Sequence, residues 1–222
     1  MRKDNMQKRV PKGEVKFQVK LSEEQKEAKD IILNNKITVL AGKAGSSKSF
    51  LACQTALSEF FKRKYSRITI MRPTVASEDI GFMPGNLEEK MSPWFLPIIE
   101  NMYIIYNKTA IDKMLDENEI RMLPLQFTQG TTFVDEVVIL DEAQNCSKEQ
   151  LKMVMTRLGK TSTLIITGDP GQIQLKKKSD SGLQELIDLQ HRGVKNLGVV
   201  ELQSNYRDPI VAEIIAMYNN GI

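Results

Sequence analysis

Residues 36–52 read KITVLAGKAGSSKSFLA. The first five, Lys36–Leu40, are short and rich in β-branched side chains, which predicts a strand. From Ser49 to Lys62 the apolar residues recur at helical spacing, which predicts a helix. A glycine-bearing loop joins the two, and a loop that leads into a helix N-terminus presents backbone N–H groups that bind phosphate. The stretch therefore indicates a nucleotide-binding α/β fold.

The loop follows the pattern G-x-x-x-x-G-K-[ST] with one departure. We expect Gly42 and Gly45 to allow the tight turn. We expect Lys48 to bridge the β- and γ-phosphates and Ser49 to place its hydroxyl on Mg²⁺. Ser47 stands where the pattern has its last glycine, which costs roughly 1–2 kcal/mol if this residue needs a positive φ. An alternative for the loop alone is a turn that binds no nucleotide. The predicted nucleotide-binding residues in this loop are Gly42, Lys43, Ala44, Gly45, Ser46, Ser47, Lys48 and Ser49.

A second segment, VVILDEAQN at 137–145, places two carboxylates directly after an apolar strand. In open α/β folds, ligands bind at the carboxyl ends of the strands. We therefore expect Asp141 to hold Mg²⁺ through its water shell and Glu142 to polarise the attacking water. An acidic pair at a strand end also arises by chance, but its place after a phosphate loop in an alternating pattern favours the functional interpretation.

Further strands alternate with helical segments along the chain. We predict strands at 67–71, 134–140, 163–167 and 197–202, and a first helix that Ser22 and Gln25 cap reciprocally and that ends near Leu33. Such alternation predicts a three-layer α/β fold with a mostly parallel sheet of five or more strands and helices on both faces. The exception is the interval 73–132, which we interpret as an inserted subdomain. Its Trp94 is expected to pack in the core rather than to stack on bases.

Composition limits the class of protein. The 222 residues are 41% hydrophobic and 27% charged, which suits one domain spanning 21–222 after a basic tail. No run approaches the ~18 apolar residues of a membrane span, and no secretory signal begins the chain. The chain has two cysteines, Cys53 and Cys146, so a disulfide framework is not expected. We therefore expect the protein to work in the reducing cytoplasm. His191 is the only histidine, which excludes a His-rich metal site and a Ser-His-Asp triad.

The basic character belongs to the start of the chain. Residues 1–20 carry seven Lys and Arg against Asp4 and Glu14, a net +5, while the remainder carries −2. Such a tail can contact nucleic-acid phosphates. A solvated, disordered end is the simpler alternative.

Two later residues are candidates for the same site. Gln172 lies in TGDPGQ at 167–172, again after a strand, where it either senses the γ-phosphate or belongs to a plain turn. Arg207 lies in SNYRDP at 204–209 and either stabilises transition-state charge, in cis or in trans, or is an ordinary surface arginine.

These motifs together resemble the PhoH family of ATPases, whose domain is similar to the first RecA-like half of superfamily 1 helicases. The resemblance covers about residues 20–220. Five ordered motifs carry it: AGKAGSSKSFLA, MRPTVASEDIGFMPG followed by Lys90 and Pro93, ILDEAQN, TGDPGQIQL followed by SGL, and NYRDPIVAEIIAMY.

The resemblance implies roles for single residues. Gln25 resembles the helicase glutamine that recognises adenine, although a purely structural capping role is the alternative. Gln172 resembles the γ-phosphate-sensing glutamine, and Arg207 the arginine that approaches the γ-phosphate. Arg72 resembles a position near nucleic acid or a neighbouring subunit, with simple ion pairing equally open.

The chain departs from the family pattern at three positions. Ser47 replaces a glycine, Gln129 stands where an arginine is usual, and Gln174 stands where an aspartate is common. The chain also lacks the nuclease domain of some relatives, so RNA cleavage is not expected.

Three functions are consistent with these features. The first is Mg²⁺-dependent hydrolysis of ATP coupled to RNA or another single-stranded nucleic acid; the resemblance implies a homo-oligomer, a hexameric ring, for movement along a strand. The second is a nucleotide-binding switch or partner-binding module with little turnover, motivated by Ser47 and Gln129. The third, a small-molecule kinase, is weaker because Glu142 and Gln172 suit the activation of water.

Overall fold

The computed structural model describes residues 17–73 and 87–219. Most of the basic tail and of the motif at 71–85 therefore lies outside the described residues, as does the side chain of Lys90. The helices are α1 (Glu23–Asn34), α2 (Lys48–Phe61), α3 (Leu87–Ile105), α4 (Lys108–Asp116), α5 (Lys148–Thr156), α6 (Leu183–His191) and α7 (Pro209–Asn219). The strands are β1 (Ile37–Gly42), β2 (Arg67–Arg72), β3 (Ile120–Pro124), β4 (Glu136–Leu140), β5 (Thr163–Gly168) and β6 (Leu197–Leu202).

The strands form one six-stranded sheet in the order β3-β2-β4-β5-β1-β6, and each described pair is parallel. The predicted parallel α/β fold is confirmed, and all five predicted strands are present. The predicted strand at 134–140 begins two residues late because Asp135 has φ 59°, a left-handed conformation that cannot continue a pleated strand.

Helices cover both faces of the sheet. Ile139 in β4 packs into the core formed with α1 to α4, while its neighbours Val138 and Leu140 pack into the core that includes α5 and α6. Ile165 and Ile166 in β5 divide in the same way. Successive side chains of a strand point to opposite faces, so a strand covered on both faces needs apolar residues throughout. This explains the continuous apolar runs in the sequence and confirms the three layers.

The described part of the interval 73–132 belongs to the main sheet and its core. Its strand β3, which the sequence analysis missed, pairs with β2, with Ile120 opposite Ile68. Its helix α3 packs on α2, and Trp94 lies partly buried against the core, as expected. The helices α3 and α4 are separate, because the Asn107 side chain accepts a hydrogen bond from Ala110 N and begins α4. Residues 87–132 of the interval interpreted as an inserted subdomain therefore contribute a strand to the main sheet and side chains to its core.

Both cysteines are buried free thiols, and burial raises the pKa of Cys146 to about 12. None of the helices in residues 17–73 and 87–219 is long and apolar enough to cross a membrane.

Candidate nucleotide-binding site

Three central strands, β1, β4 and β5, end at the same edge of the sheet, and each is followed by polar residues. These residues surround a cleft of about 440 Å³. Among the residues that line it are Lys48, Ser49, Asp141, Glu142, Gln172 and Arg207. The sequence motifs, which are up to about 160 residues apart, are thus brought together because parallel strands carry their carboxyl ends to one edge.

The loop between β1 and α2 uses three left-handed or glycine-only conformations. Gly42 has φ 147°, Gly45 has φ 92° and Ser47 has φ 64°. A Cβ atom on Gly45 would lie 2.7 Å from Asn205 Oδ1, so this glycine also permits a close approach of the segment after β6. The Ser47 side chain makes no cap hydrogen bond to α2, which leaves the first turn of that helix for an anionic ligand.

Ser47→Gly is expected to raise the melting temperature. Ser47 occupies the conformation that glycine adopts at no steric cost, as the departure from the loop pattern suggested. Relief of about 1 kcal/mol corresponds to roughly 2–4 °C in a chain of this size. Thermal unfolding followed by circular dichroism measures the shift.

Ser47→Ala is the matched control, since it removes the hydroxyl but keeps the Cβ atom that causes the strain. A Ser47→Gly protein no more stable than Ser47→Ala would contradict the strain at this position.

Lys48 lies folded back onto its own loop. Its Nζ donates to Gly42 O at 2.7 Å and to Lys43 O at 2.9 Å. Burial lowers the pKa of Lys48 below its ordinary value, and the carboxylates of Asp169, Glu142 and Asp141 oppose that shift. Backbone carbonyls therefore hold the Lys48 ammonium group at the loop, where the three carboxylates favour its charged form.

Asp141 is buried and accepts two hydroxyl hydrogen bonds on one oxygen. Ser49 Oγ donates to Asp141 Oδ1 at 2.6 Å, and Thr167 Oγ1 donates to the same atom at 2.5 Å. Mg²⁺ takes one or two hard oxygen ligands from a protein and the rest from water and phosphates. Ser49 and Asp141 fit that requirement. Within residues 17–73 and 87–219, no three His, Cys, Asp or Glu side chains cluster as an all-protein cage would need.

Glu142 adopts a left-handed conformation, φ 57°, which turns the chain sharply after β4. One carboxylate oxygen, Oε1, lies 3.4 Å from Arg72 Nη2. The other, Oε2, accepts from Gln144 Nε2 at 2.5 Å. Arg72 also lies 3.6 Å from Asp141 Oδ2 and donates to the carbonyl of Trp94, so it joins both acids to α3.

The remaining wall of the cleft comes from the segments after β5 and β6. Gln172 and Arg207 line the cleft and are exposed. Tyr206 N–H donates to Gly45 O at 3.0 Å, which attaches the Arg207 segment to the phosphate loop. The structure therefore places both predicted residues at the site.

Gln25 lies in the capping box of α1. Its Oε1 accepts from Ser22 N at 3.0 Å, and the residue is 4% exposed. Gln25 does not line the cleft. Its neighbour Ser22 contacts the cleft residue Tyr206, with 2.7 Å between Ser22 Oγ and Tyr206 OH. The capping role is confirmed, and the proposed contact with adenine stays a prediction.

The other departures lie apart from the acids. Gln129 is exposed in the turn after β3, and Gln174 donates its backbone N–H to Asn145 Oδ1 at 2.8 Å. Two residues that the structure brings to the acids, Thr167 and Gln144, were given no role from the sequence. For Arg72 the ion pairing left open as an alternative is present, and its partners are Asp141 and Glu142. Each lies inside or beside a motif, but only the fold reveals its partner.

Comparison with known proteins supports this interpretation of the motifs. The sequence profile described as "PhoH-like protein" matches residues 18–219. The chain is 36% identical over 197 residues to a PhoH-like protein of Mycobacterium tuberculosis, covering 87% of this chain and 56% of that protein. It is 35% identical over 198 residues to a PhoH-like protein of Bacillus subtilis, covering 88% and 62% respectively. The chain thus spans less than two thirds of the length of these relatives.

A solved structure shows the same architecture. The large terminase of a thermophilic bacteriophage superimposes with a TM-score of 0.58 at 11% identity, covering 89% of this chain and 50% of the terminase. At that identity the likeness concerns the fold alone, which is the RecA-like fold of P-loop NTPases. The family profile matches residues 18–219 of this chain, which include the loop at 42–49 and the acidic pair Asp141 and Glu142. The chain therefore belongs to the PhoH-like protein family.

Proposed function

We propose that this chain binds ATP in the cleft and, with Mg²⁺, hydrolyses it to ADP and phosphate. The observation that carries the proposal is the convergence of Lys48, the Ser49–Asp141 pair and Glu142 on one cleft at the start of α2. Phosphoryl transfer depends on positioning and charge neutralisation more than on covalent chemistry by the protein. These residues supply a cation, an oxygen pair for the metal and a base beside it.

Each side chain has a distinct task in this proposal. The N–H groups of the loop and of the first turn of α2 bind phosphate oxygens. The Lys48 ammonium group gives up its hydrogen bonds to the carbonyls of Gly42 and Lys43 and donates to the β- and γ-phosphates instead. Ser49 and Asp141 hold Mg²⁺, which when bound neutralises charge on those phosphates. Glu142 orients the attacking water and accepts its proton.

Gln172 and Arg207 complete the site in this proposal. Both line the cleft. Gln172 contacts the γ-phosphate and reports its loss, and Arg207 stabilises the charge that develops on it. Because Arg207 is exposed, its guanidinium group can act either in the cleft of its own chain or in that of a neighbouring subunit.

Coupling to RNA or another single-stranded nucleic acid is the finer part of the proposal. The net charge of +5 in residues 1–20 supports it, as does the helicase-like order of the motifs. A homo-oligomer in the form of a ring goes with this proposal, because a neighbouring subunit then supplies a basic residue to the cleft.

A nucleotide-binding switch with little turnover is the second candidate. Two observations favour it: Ser47 is strained at φ 64°, and Arg72 Nη2 lies 3.4 Å from Oε1 of Glu142, the proposed base. In that function ATP binding changes the shape of the cleft without rapid cleavage.

Phosphate release from ATP separates the two candidates. The assay compares Mg²⁺ with excess EDTA, and it is run with and without single-stranded RNA or DNA. Mg²⁺-dependent release, increased by nucleic acid, is the expected result. ATP binding without release under any of these conditions would support the switch, and release without stimulation would remove the coupling to nucleic acid.

A further inference from the structure

Gln144 is a buried side chain between the acidic pair and the loop after β5. It lies in the short 3-10 turn Ala143–Asn145, directly after Glu142, and is 2% exposed. A buried amide has to satisfy both its donor and its acceptor. Gln144 does so with two partners from different parts of the chain, and one of them is the proposed base.

The first partner is Glu142 and the second is the backbone of Asp169. Gln144 Nε2 donates to Glu142 Oε2 at 2.5 Å, and Asp169 N–H donates to Gln144 Oε1 at 3.1 Å. A backbone N–H can only donate and an ionised carboxylate can only accept. The orientation of the Gln144 amide is therefore unambiguous, with its oxygen toward Asp169 and its nitrogen toward Glu142.

The packing leaves little freedom to this amide. A Cβ atom on Gly168 would lie 3.0 Å from Gln144 Oε1 and 3.2 Å from Gln144 N, so the strand approaches as closely as a glycine permits. On the opposite side of the Glu142 carboxylate, Arg72 Nη2 lies 3.4 Å from Oε1. The hydrogen bond from Gln144 is the shorter of the two contacts.

Asp169 begins the turn that carries Gln172. Gln172 N–H donates to Asp169 O at 3.0 Å, and Gly171 N–H donates to Asp169 Oδ1 at 2.9 Å, which makes the turn compact. Gln172 lines the cleft. One amide therefore connects the proposed base to the turn that carries the proposed γ-phosphate sensor.

We propose that Gln144 is a positioning residue that fixes the carboxylate of Glu142 in the cleft and ties it to the Asp169–Gln172 turn. This inference rests on the proposed function, since it gives Glu142 an orientation for its task. A displacement of the turn then moves the carboxylate of Glu142 through the amide of Gln144.

A stability cycle tests the contact without any reference to hydrolysis. Gln144→Glu keeps the acceptor for Asp169 N–H but sets two carboxylates face to face, so it should lower the melting temperature by about 4 °C or more. Adding Glu142→Gln allows the new amide at position 142 to donate to the carboxylate at position 144, which reverses the direction of the wild-type hydrogen bond. The double variant should therefore recover most of the lost melting temperature. The matched control is Asn145→Asp, which adds the same charge one residue later and keeps the acceptor for Gln174 N–H.

Equal losses in Gln144→Glu and Asn145→Asp, with no recovery on adding Glu142→Gln, would overturn the contact. If the wild-type chain releases no phosphate, this cycle still decides whether Gln144 holds Glu142, and only the proposed function fails.

Turnover tests the positioning role. In Gln144→Glu and in the volume-matched Gln144→Met, kcat should fall about 10–100-fold, as misplacement of a catalytic group typically does. In Gln144→Met, which adds no charge to the cleft, the dissociation constant for a non-hydrolysable ATP analogue should stay within about twofold of wild type, because the Gln144 amide is bonded to Glu142 and to Asp169 N–H. Asn145→Asp should retain wild-type kcat. An unchanged kcat in both Gln144 variants, or equal losses in kcat and in analogue binding, would overturn the proposal.

Discussion

Glu142→Gln is expected to lower ATP turnover by about 10²–10⁴-fold while ATP still binds. The change keeps the size of the side chain and an oxygen that accepts from Gln144 Nε2, but it removes the charge that polarises water. Since Glu142 is not expected to contact the phosphates in the ground state, the loss should appear in kcat and not in affinity. Phosphate release and binding of a fluorescent ATP analogue measure the two effects separately.

The control for Glu142→Gln is Glu149→Gln, an exposed residue in the first turn of α5 that loses the same charge outside the cleft. Turnover should be unchanged in that variant. If Glu142→Gln retained wild-type kcat, Glu142 would not be the base and the hydrolysis proposal would lose its central residue.

Lys48→Ala is expected to weaken ATP binding about 100-fold. Charge-assisted hydrogen bonds contribute up to about 3 kcal/mol, which corresponds to two orders of magnitude in a dissociation constant. The structure keeps the Lys48 ammonium at the loop through Gly42 O and Lys43 O, so little rearrangement is needed for it to meet phosphate. Equilibrium binding of ATP with Mg²⁺, measured by calorimetry, gives the change directly.

Lys152→Ala is the matched control for Lys48→Ala, because it removes one positive charge from an exposed position on α5 that does not line the cleft. Its affinity for ATP should equal that of the wild type. Equal affinities for Lys48→Ala and Lys152→Ala would show that Lys48 makes no contact with the nucleotide, and the phosphate loop would need another ligand.

Most of the site could be predicted because its motifs are contiguous. Strand, loop and helix follow one another within residues 36–62, and Asp141 and Glu142 directly follow an apolar strand. A contiguous motif can be recognised from the sequence because its residues lie close together whenever the strand, loop and helix that carry it form. The prediction that Ser47 replaces a glycine was also local, and its φ of 64° shows why glycine is usual there.

Other features could not be predicted because they depend on distant partners. The strand β3 is five residues long, and only its pairing with β2 reveals it as part of the sheet. Likewise, nothing in the sequence indicates that Thr167 and Ser49 donate to one oxygen of Asp141, since Ser49 lies in α2, Thr167 in β5 and Asp141 directly after β4.

By itself, the sequence determined the parallel α/β architecture, the phosphate loop and the acidic pair, because backbone propensity, apolar periodicity and contiguous motifs are properties of short segments. The tertiary structure alone decided that residues 87–132 belong to the main sheet, that Gln25 does not line the cleft, and that Gln144 connects Glu142 to Asp169. The pairing of β3 with β2 and the hydrogen bond from Asp169 to Gln144 join segments that are far apart in the sequence, and the order of the parallel strands brings them together.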